Sequence, residues 1–356
     1  MPPAKTVIPA GDLADLVTAL FTGAGTSPEH ARTISDVLIW AGLRGVDSHG
    51  VSRVPRYLEL LASGEANPRP DLQVTSSTPG VAVLDADRAP GPVALTEAAA
   101  EAVSRARANG IGAVAVRRTV HTGAIGYYTS KIAEEGLVGI AFVAGMPNMG
   151  YTGVKGAAVA TSPLSIAVPT RERPPVLLDM ATATIALGKI AQYRNSGKPL
   201  PEGAAATADG VPTTDPGLAK MPLPLGGAKG AGMSLLFEML TSVLVQAPIL
   251  ASFHGDDPEG RVHRQNALII ALDPAAFGDA DGYAETVAQT LDALKGLPRA
   301  DEATEISYPG ERSAATAAER SREGIPVAGK VWKELAAAAE RTGVRLPAVL
   351  GDTVRL

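Results

Sequence analysis

The stretch DSHGVSRVPRY at residues 47–57 sets an imidazole, a guanidinium and a phenol at four-residue intervals: His49, Arg53 and Tyr57. Residues four apart share one face of a helix. An imidazole, with an ordinary pKa of about 6.5, suits proton transfer near neutrality. A guanidinium can fork two hydrogen bonds to a carboxylate, or simply join a surface ion pair. Tyr57 offers a phenol donor, or half-buried packing with a polar tip. A second histidine, His121 in VHTG, follows a short apolar run and precedes Tyr127 and Tyr128, with Gly123 beside it. The carboxyl ends of strands are where open α/β sheets bind ligands, although a lone histidine there can equally be structural. Asp179 in VLLDMATAT can orient a histidine, bind a ribose hydroxyl or cap the Ala-rich segment that follows. Lys229 lies among Gly226, Gly227, Gly230 and Gly232 just before an apolar helical pattern. Such a loop either turns backbone N–H groups toward a phosphate or is a plain flexible turn. His254 and His263, nine apart with Asp256 and Asp257 between them, match no standard metal spacing. They read as a solvated loop, and no metal site is expected.

The elements that must position these groups follow from periodicity. Asp12 is a candidate cap for a helix with Leu13, Leu16, Val17, Leu20 and Phe21 on one face. Ser27-Pro28-Glu29 starts a second helix reaching about residue 43. Pro55 marks a new helix from about residue 54. His49 then falls in the loop before that helix and Arg53 near its start, so the one-face argument relaxes to mere proximity. Strands are expected at 81–84, 112–116, 137–143 and 267–272, with 164–168 and 176–178 as a hairpin. Helices are expected at 92–109 with Gly110 as its stop, to residue 135, after Ala183, and at 231–246, 281–295 and 327–342. Residues 196–229 read as a long ordered loop, and residues 300–325 keep a helical pattern. Strands alternating with helices make an α/β fold with a mostly parallel or mixed sheet. The division expected is a helical lobe from residues 1–70 plus 300–356 and an α/β core over 71–299.

Composition narrows the partners. A chain of 356 residues, 46% hydrophobic, supports a large core. The net charge of −5 and the lack of a basic block argue against nucleic acid as a partner. There is no cysteine, hence no disulfide and no thiolate chemistry. No apolar run approaches the roughly 18 residues of a membrane helix, and no leader pattern is read in MPPAKTVIPAGDLADLV. A cytoplasmic protein without membrane contact is the expectation. G-x-G-x-x-G after a strand, the P-loop and G-x-S-x-G are all missing, which counts against an ordinary Rossmann site, a P-loop and an α/β-hydrolase.

The segments LRGVDSHGVSRVPRYLELLASGEANP, VHTGAIGYYTSKIAEEGLVGIAF, ATSPLSIAVP, VLLDMATATIALGKI, ADGVPTTDP, GGAKGAGMSLL and YPGERSAATAAERSREGI occur in that order over roughly residues 40–325. Together they resemble the malate/L-lactate dehydrogenase family, with its non-Rossmann NAD(P)-binding fold. That family includes ureidoglycolate and sulfolactate dehydrogenases and Δ1-piperideine-2-carboxylate reductase. The resemblance accounts for the missing glycine fingerprint. It implies a mixed-sheet α/β fold with helical terminal segments, a nicotinamide cofactor, and a homodimer with the site near the interface. It puts His49, Arg53 and Tyr57 at substrate-site positions and His121 at a second catalytic position. The LDMAT residues Asp179, Met180, Ala181 and Thr182, with Lys229 and Pro309-Gly310-Glu311, fall at cofactor-proximal positions. The resemblance also implies an alternative role for Asp179, positioning a catalytic histidine.

The implied chemistry is hydride transfer to or from a small 2-oxo acid, 2-hydroxy acid or cyclic 2-imino acid. Arg53 would hold the carboxylate, His49 or His121 would exchange the proton, and Ser48 would hydrogen-bond its neighbour or the substrate. Arg171 and Arg173 in TRERPP could reach a 2′-phosphate or form a solvated turn, which tilts the cofactor expectation from NADH to NADPH. The chain departs from the family pattern over residues 144–162, where Ala160-Thr161-Ser162-Pro163 replaces the usual Gly-Thr-Asn-Pro. Two other readings stand beside this one: a non-catalytic dinucleotide-binding homologue, and a cofactor-free His–Asp hydrolase or lyase.

Overall fold

The computed structural model describes residues 5–347; residues 1–4 and 348–356, the outer ends of the expected helical lobe, lie outside the described residues. Strand β1 (Lys5–Ile8) leads into helices α1 (Ala10–Gly23) and α2 (Pro28–Leu43). The α1 stripe of Leu13, Leu16, Val17, Leu20 and Phe21 is buried as expected. Asp12 does not cap α1: Pro9 holds that position and Asp12 lies in the first turn, where its charge suits the helix dipole. Ser27 does cap α2, its hydroxyl accepting from the His30 N–H at 3.2 Å. The 47–57 stretch is not one helix. Asp47–His49 and Val51–Arg53 form separate single turns before α3 (Val54–Ala62), which starts at Val54 with Pro55 in its first turn, as expected.

The core elements follow: β2 (Gln73–Thr78), β3 (Val81–Asp85), α4 (Gly91–Asn109), β4 (Ile111–Thr119), α5 (Gly126–Glu134), β5 (Val138–Gly145), β6 (Pro163–Val168), β7 (Val176–Ala181) and α6 (Leu187–Ser196). The expected loop over 196–229 contains a small sheet of two-residue strands, β8 (Ala205–Ala206), β9 (Pro212–Thr213) and β10 (Met221–Pro222). Helix α7 (Ala228–Glu238) runs on into a π turn at Met239–Val243. After it come α8 (Leu250–His254), β11 (Gln265–Leu272), α9 (Ala280–Lys295), α10 (Glu311–Glu323), β12 (Ile325–Ala328) and α11 (Gly329–Thr342).

The main sheet has the order β2-β3-β4-β11-β5-β6-β7. It is mixed rather than mostly parallel: β3 and β4 run parallel and every other neighbouring pair is antiparallel. Strand β11 inserts at the centre, with Gln265 opposite both Thr119 of β4 and Gly145 of β5. The entrance to β11 therefore meets the exits of β4 and β5 at one end of the sheet. Helices α4 and α5 pack on one face, with α2 on them and α1 on α2, and Phe21, Leu38, Leu95, Tyr128, Ile132, Val116 and Ile269 belong to one buried cluster. The antiparallel pair β1–β12 ties the two ends of the chain together, and Ile325, Val327 and Leu335 join the same cluster. No helix of the described residues is long and apolar enough to cross a membrane.

Candidate active site

His121 emerges two residues past β4, and the turns ahead of α3 fold His49 against it. Their rings stack, with centroids 5.7 Å apart and planes 25° from parallel. Tyr57 is buried (4% exposed) on α3, and its hydroxyl lies 2.8 Å from His121 Nδ1. The Gly123 N–H donates to the same nitrogen at 3.2 Å. Gly123 has φ +72°, and a Cβ there would sit 3.1 Å from Val37, so glycine provides both the turn and the room. Ser48 Oγ lies 3.0 Å from His49 Nδ1. Arg53 Nε donates to the Ser48 carbonyl at 2.6 Å. Its two Nη groups have no protein partner among the described residues, so the fork is unspent beside the two imidazoles. Asp47 is taken up by Arg320 of α10 at 2.6 Å.

Burial, with the Arg53 charge added to it, favours the neutral form of both imidazoles at pH 7. Burial pushes His49 down to about 4, and the Arg53 charge adds to it. His121 is held well below its ordinary value by burial, then by Arg53, His49 and His263. Burial also raises the Tyr57 phenol, so it stays protonated.

The cofactor-proximal segments named from the sequence meet on strand β7 and its exit. The Leu177 N–H donates to the Pro309 carbonyl at 3.0 Å, and the Leu225 N–H to the Thr182 carbonyl at 2.8 Å. Asp179 lies inside β7 rather than at its end, and caps no helix that follows it. Instead its Oδ2 accepts from the Gly126 N–H at the start of α5, at 2.9 Å. No histidine is within hydrogen-bonding reach of it among the described residues, so a His–Asp pair is not formed. Asp179 keeps an accessible side-chain edge although protein packs densely around it. Burial raises its carboxyl to about 6, against the pull of the Gly126 N–H and Arg44. Lys229 is exposed in the first turn of α7, Met180 is half-buried, and Ala181 is exposed.

The atypical 144–162 segment lies against this hub. The Thr182 N–H donates to the carbonyls of Thr161 and Ser162, each at 3.3 Å. Ser234 of α7 donates to the Ala160 carbonyl at 2.7 Å, and the Asn148 amide oxygen accepts from the Thr161 N–H at 2.8 Å. A nicotinamide dinucleotide fits the residues present. Thr182 Oγ1 is buried without a partner. Gly310, at φ +91°, lies so close to β7 that a Cβ would sit 2.9 Å from Leu177. The orphaned hydroxyl is what a ligand-lined backbone produces, and the glycine lets the 309–311 turn seat directly on β7. Thr182, Lys229 and the 309–311 turn would hold the group.

Two residues escaped the sequence reading. Gln265 Oε1 accepts from the Thr122 N–H at 2.9 Å, fixing the backbone beside His121. His263 is not a solvated loop residue. It is partly buried, bears electrostatically on His121, and has an Nε2 that is buried without a partner. No local pattern marks it, because its proximity depends on where β11 inserts.

The whole-chain comparisons agree with this architecture. The family model described as malate/L-lactate dehydrogenase matches residues 8–336. Malate dehydrogenase of Pyrococcus horikoshii is 33% identical over 347 residues, covering 95% of this chain and 96% of that protein. The structure of sulfolactate dehydrogenase from Methanocaldococcus jannaschii aligns with a TM-score of 0.87 at 31% identity, over 96% of this chain and 98% of that one. Δ1-Piperideine-2-carboxylate reductase from Pseudomonas syringae aligns at 0.83 with 27% identity, over 94% and 99%. The chain belongs to the malate/L-lactate dehydrogenase family.

Proposed function

We propose that this protein is an NAD(P)-dependent oxidoreductase acting on a small 2-oxo or 2-hydroxy acid, or on a cyclic 2-imino acid. The observation that carries the reading is the unspent Arg53 fork beside the stacked His49 and His121, at the same end of the sheet as the β4 and β5 exits. Arg53 binds the substrate carboxylate and so orients the adjacent carbon. The histidines exchange the proton with, and hydrogen-bond, the reacting oxygen or nitrogen, where charge develops in the transition state. Ser48 holds His49, and Tyr57 acts through His121 rather than on substrate. Asp179 shapes the cofactor side by anchoring α5. A bound nicotinamide dinucleotide supplies or receives the hydride. The reductase relative of known structure supports keeping imines beside ketones, because both need a carboxylate clamp and a proton donor.

The lean to NADPH rests on Arg171 and Arg173. Arg173 pairs with Asp292 at 3.1 Å, Arg171 with Glu285 at 3.6 Å, and Lys295 with Glu311 beside Gly310. Such exposed pairs are worth about 0–1 kcal/mol, so a 2′-phosphate could recruit these cations. The Kd ratio of NADPH to NADH in Arg173→Ala tests this.

The homodimer is supported by an apolar stripe on α7 and its π turn: Leu236, Met239, Leu240, Val243 and Leu244, 42–63% exposed at helical spacing. Leu240→Glu with Leu244→Glu should give a monomer in sedimentation, and an unchanged mass would sink this interface. The helical lobe (1–70 with 300–356), the core (71–299) and a cytoplasmic location complete the proposal. Limited proteolysis and cell fractionation test them.

The central test is consumption of NADH and NADPH with a panel of 2-oxo acids and cyclic imines, alongside direct dinucleotide binding. Turnover with one substrate class is expected. Absence of any dinucleotide binding would overturn the reading.

A further inference from the structure

The two histidines differ in their hydrogen-bond partners. On His121, Nδ1 receives the Gly123 N–H at 3.2 Å and faces the Tyr57 hydroxyl at 2.8 Å. A backbone N–H can only donate, so that nitrogen must present its lone pair. The neutral ring therefore carries its hydrogen on Nε2. A second proton on Nδ1 would point at the Gly123 N–H and force the Tyr57 hydroxyl to turn away. On His49, Nδ1 meets only the Ser48 hydroxyl at 3.0 Å. A hydroxyl rotates between donor and acceptor, so His49 can hold either tautomer, or both protons, without losing that bond.

We propose that the stacked histidines divide the work: His121 is locked as the Nε2–H tautomer and only donates a hydrogen bond to the reacting atom, whereas His49 gives and takes the proton. The Gly123 N–H sets the lock, and the Tyr57 hydroxyl braces the ring at the same nitrogen. The inference rests on the oxidoreductase reading above. In reduction, His49 acts after taking a second proton from solvent: one N–H bond of the imidazolium breaks, an O–H bond forms on the former carbonyl oxygen, and the ring returns to neutral. The electron pair for the new C–H bond comes from the reduced dinucleotide, and solvent returns the proton to His49. Oxidation reverses each change.

The surrounding groups agree with a single exchangeable proton. Arg53 bears on both rings, and His263, from the entrance to β11, bears on His121. Tyr57 of α3 is neutral, and Asp47, the nearest acid in sequence, is paired with Arg320 of α10. Among the described residues, no carboxylate bears on either ring to support two imidazolium charges.

Nitrogen-15 NMR of the whole protein, with the rings assigned through His49→Gln and His121→Gln, reads the tautomers without turnover. The expected result is an Nε2–H His121 that does not titrate between about pH 5 and about pH 9, and a His49 that begins to protonate at the acid end. Tyr57→Phe leaves the Gly123 N–H in place, so His121 should stay Nε2–H in that variant, and a tautomer mixture there would refute the backbone lock. A His121 found as Nδ1–H, or taking a proton while His49 stays neutral, would overturn the assignment.

Kinetics give the second arm. His121→Gln keeps an N–H donor and should keep the shape of the pH–rate profile at lower kcat. His49→Gln should lose the rise in reduction rate toward acid pH, with kcat down about 100-fold or more. The reverse pattern would refute the division of roles. If the tautomers are as stated but no dinucleotide binds, the tautomer assignment is upheld and the oxidoreductase reading fails.

Discussion

Arg53→Gln isolates the carboxylate clamp. Arg53 Nε is committed to the Ser48 carbonyl at 2.6 Å, so a substrate carboxylate would meet the two Nη groups. Each hydrogen bond to a charged group is worth about 1.5–3 kcal/mol. A glutamine at this position keeps at most one neutral donor, worth about 1 kcal/mol. The net loss is about 3 kcal/mol, or roughly 150-fold in kcat/KM. Because the carboxylate is held alike in ground and transition states, most of the loss should appear in KM. A second effect has a definite sign. Arg53 depresses both histidines, so removing it lets their pKa values rise. The pH above which reduction slows should move upward. The assay is kcat/KM against pH for a 2-oxo acid and for its carboxamide analogue, with dinucleotide Kd as control. An equal loss on the carboxamide, or an unchanged KM for the acid, would refute the clamp.

Three further outcomes are expected. The folded-state pKa of His49 is depressed from 6.5 to about 4, so its contribution to stability is present above pH 6.5 and is lost as pH falls through 4. That depression bounds the effect at about 3 kcal/mol, reduced in practice by the partial accessibility of the ring. His49→Gln should flatten the urea midpoint across that window, and an unaltered pH dependence would contradict the burial argument. Gly310→Ala forces a left-handed backbone and a Cβ 2.9 Å from Leu177. It should cost about 1–3 kcal/mol and weaken dinucleotide binding, and an unchanged Tm would mean the turn gives way freely. Ser27→Ala removes the α2 cap and should cost about 1 kcal/mol of stability with no kinetic effect. A changed kcat would show that α2 is coupled to the site.

What the sequence determined on its own was local. The Ser27 cap, the helix start at Pro55, the stop of α4 at Gly110 and the apolar strands β4, β5 and β11 depend on residues within a turn or a pleat of one another. The site residues could also be singled out one at a time, through ordered motifs. Short polar strands such as QVTSST in β2 were missed because their pairing, not their composition, makes them strands. Asp12 failed as a cap because the chain entered α1 three residues earlier.

Only the tertiary structure decided which groups meet. Tyr57 and His121 are 64 residues apart, and Asp179 and Gly126 are 53 apart. The first contact comes from α3 bringing Tyr57 to the exit of β4, the second from α5 packing on β5, β6 and β7, and the approach of His263 from the late strand β11 entering between β4 and β5. Register and burial of that kind are sums over distant contacts. They turned three separately legible residues into a stacked, desolvated pair of imidazoles with a guanidinium beside it.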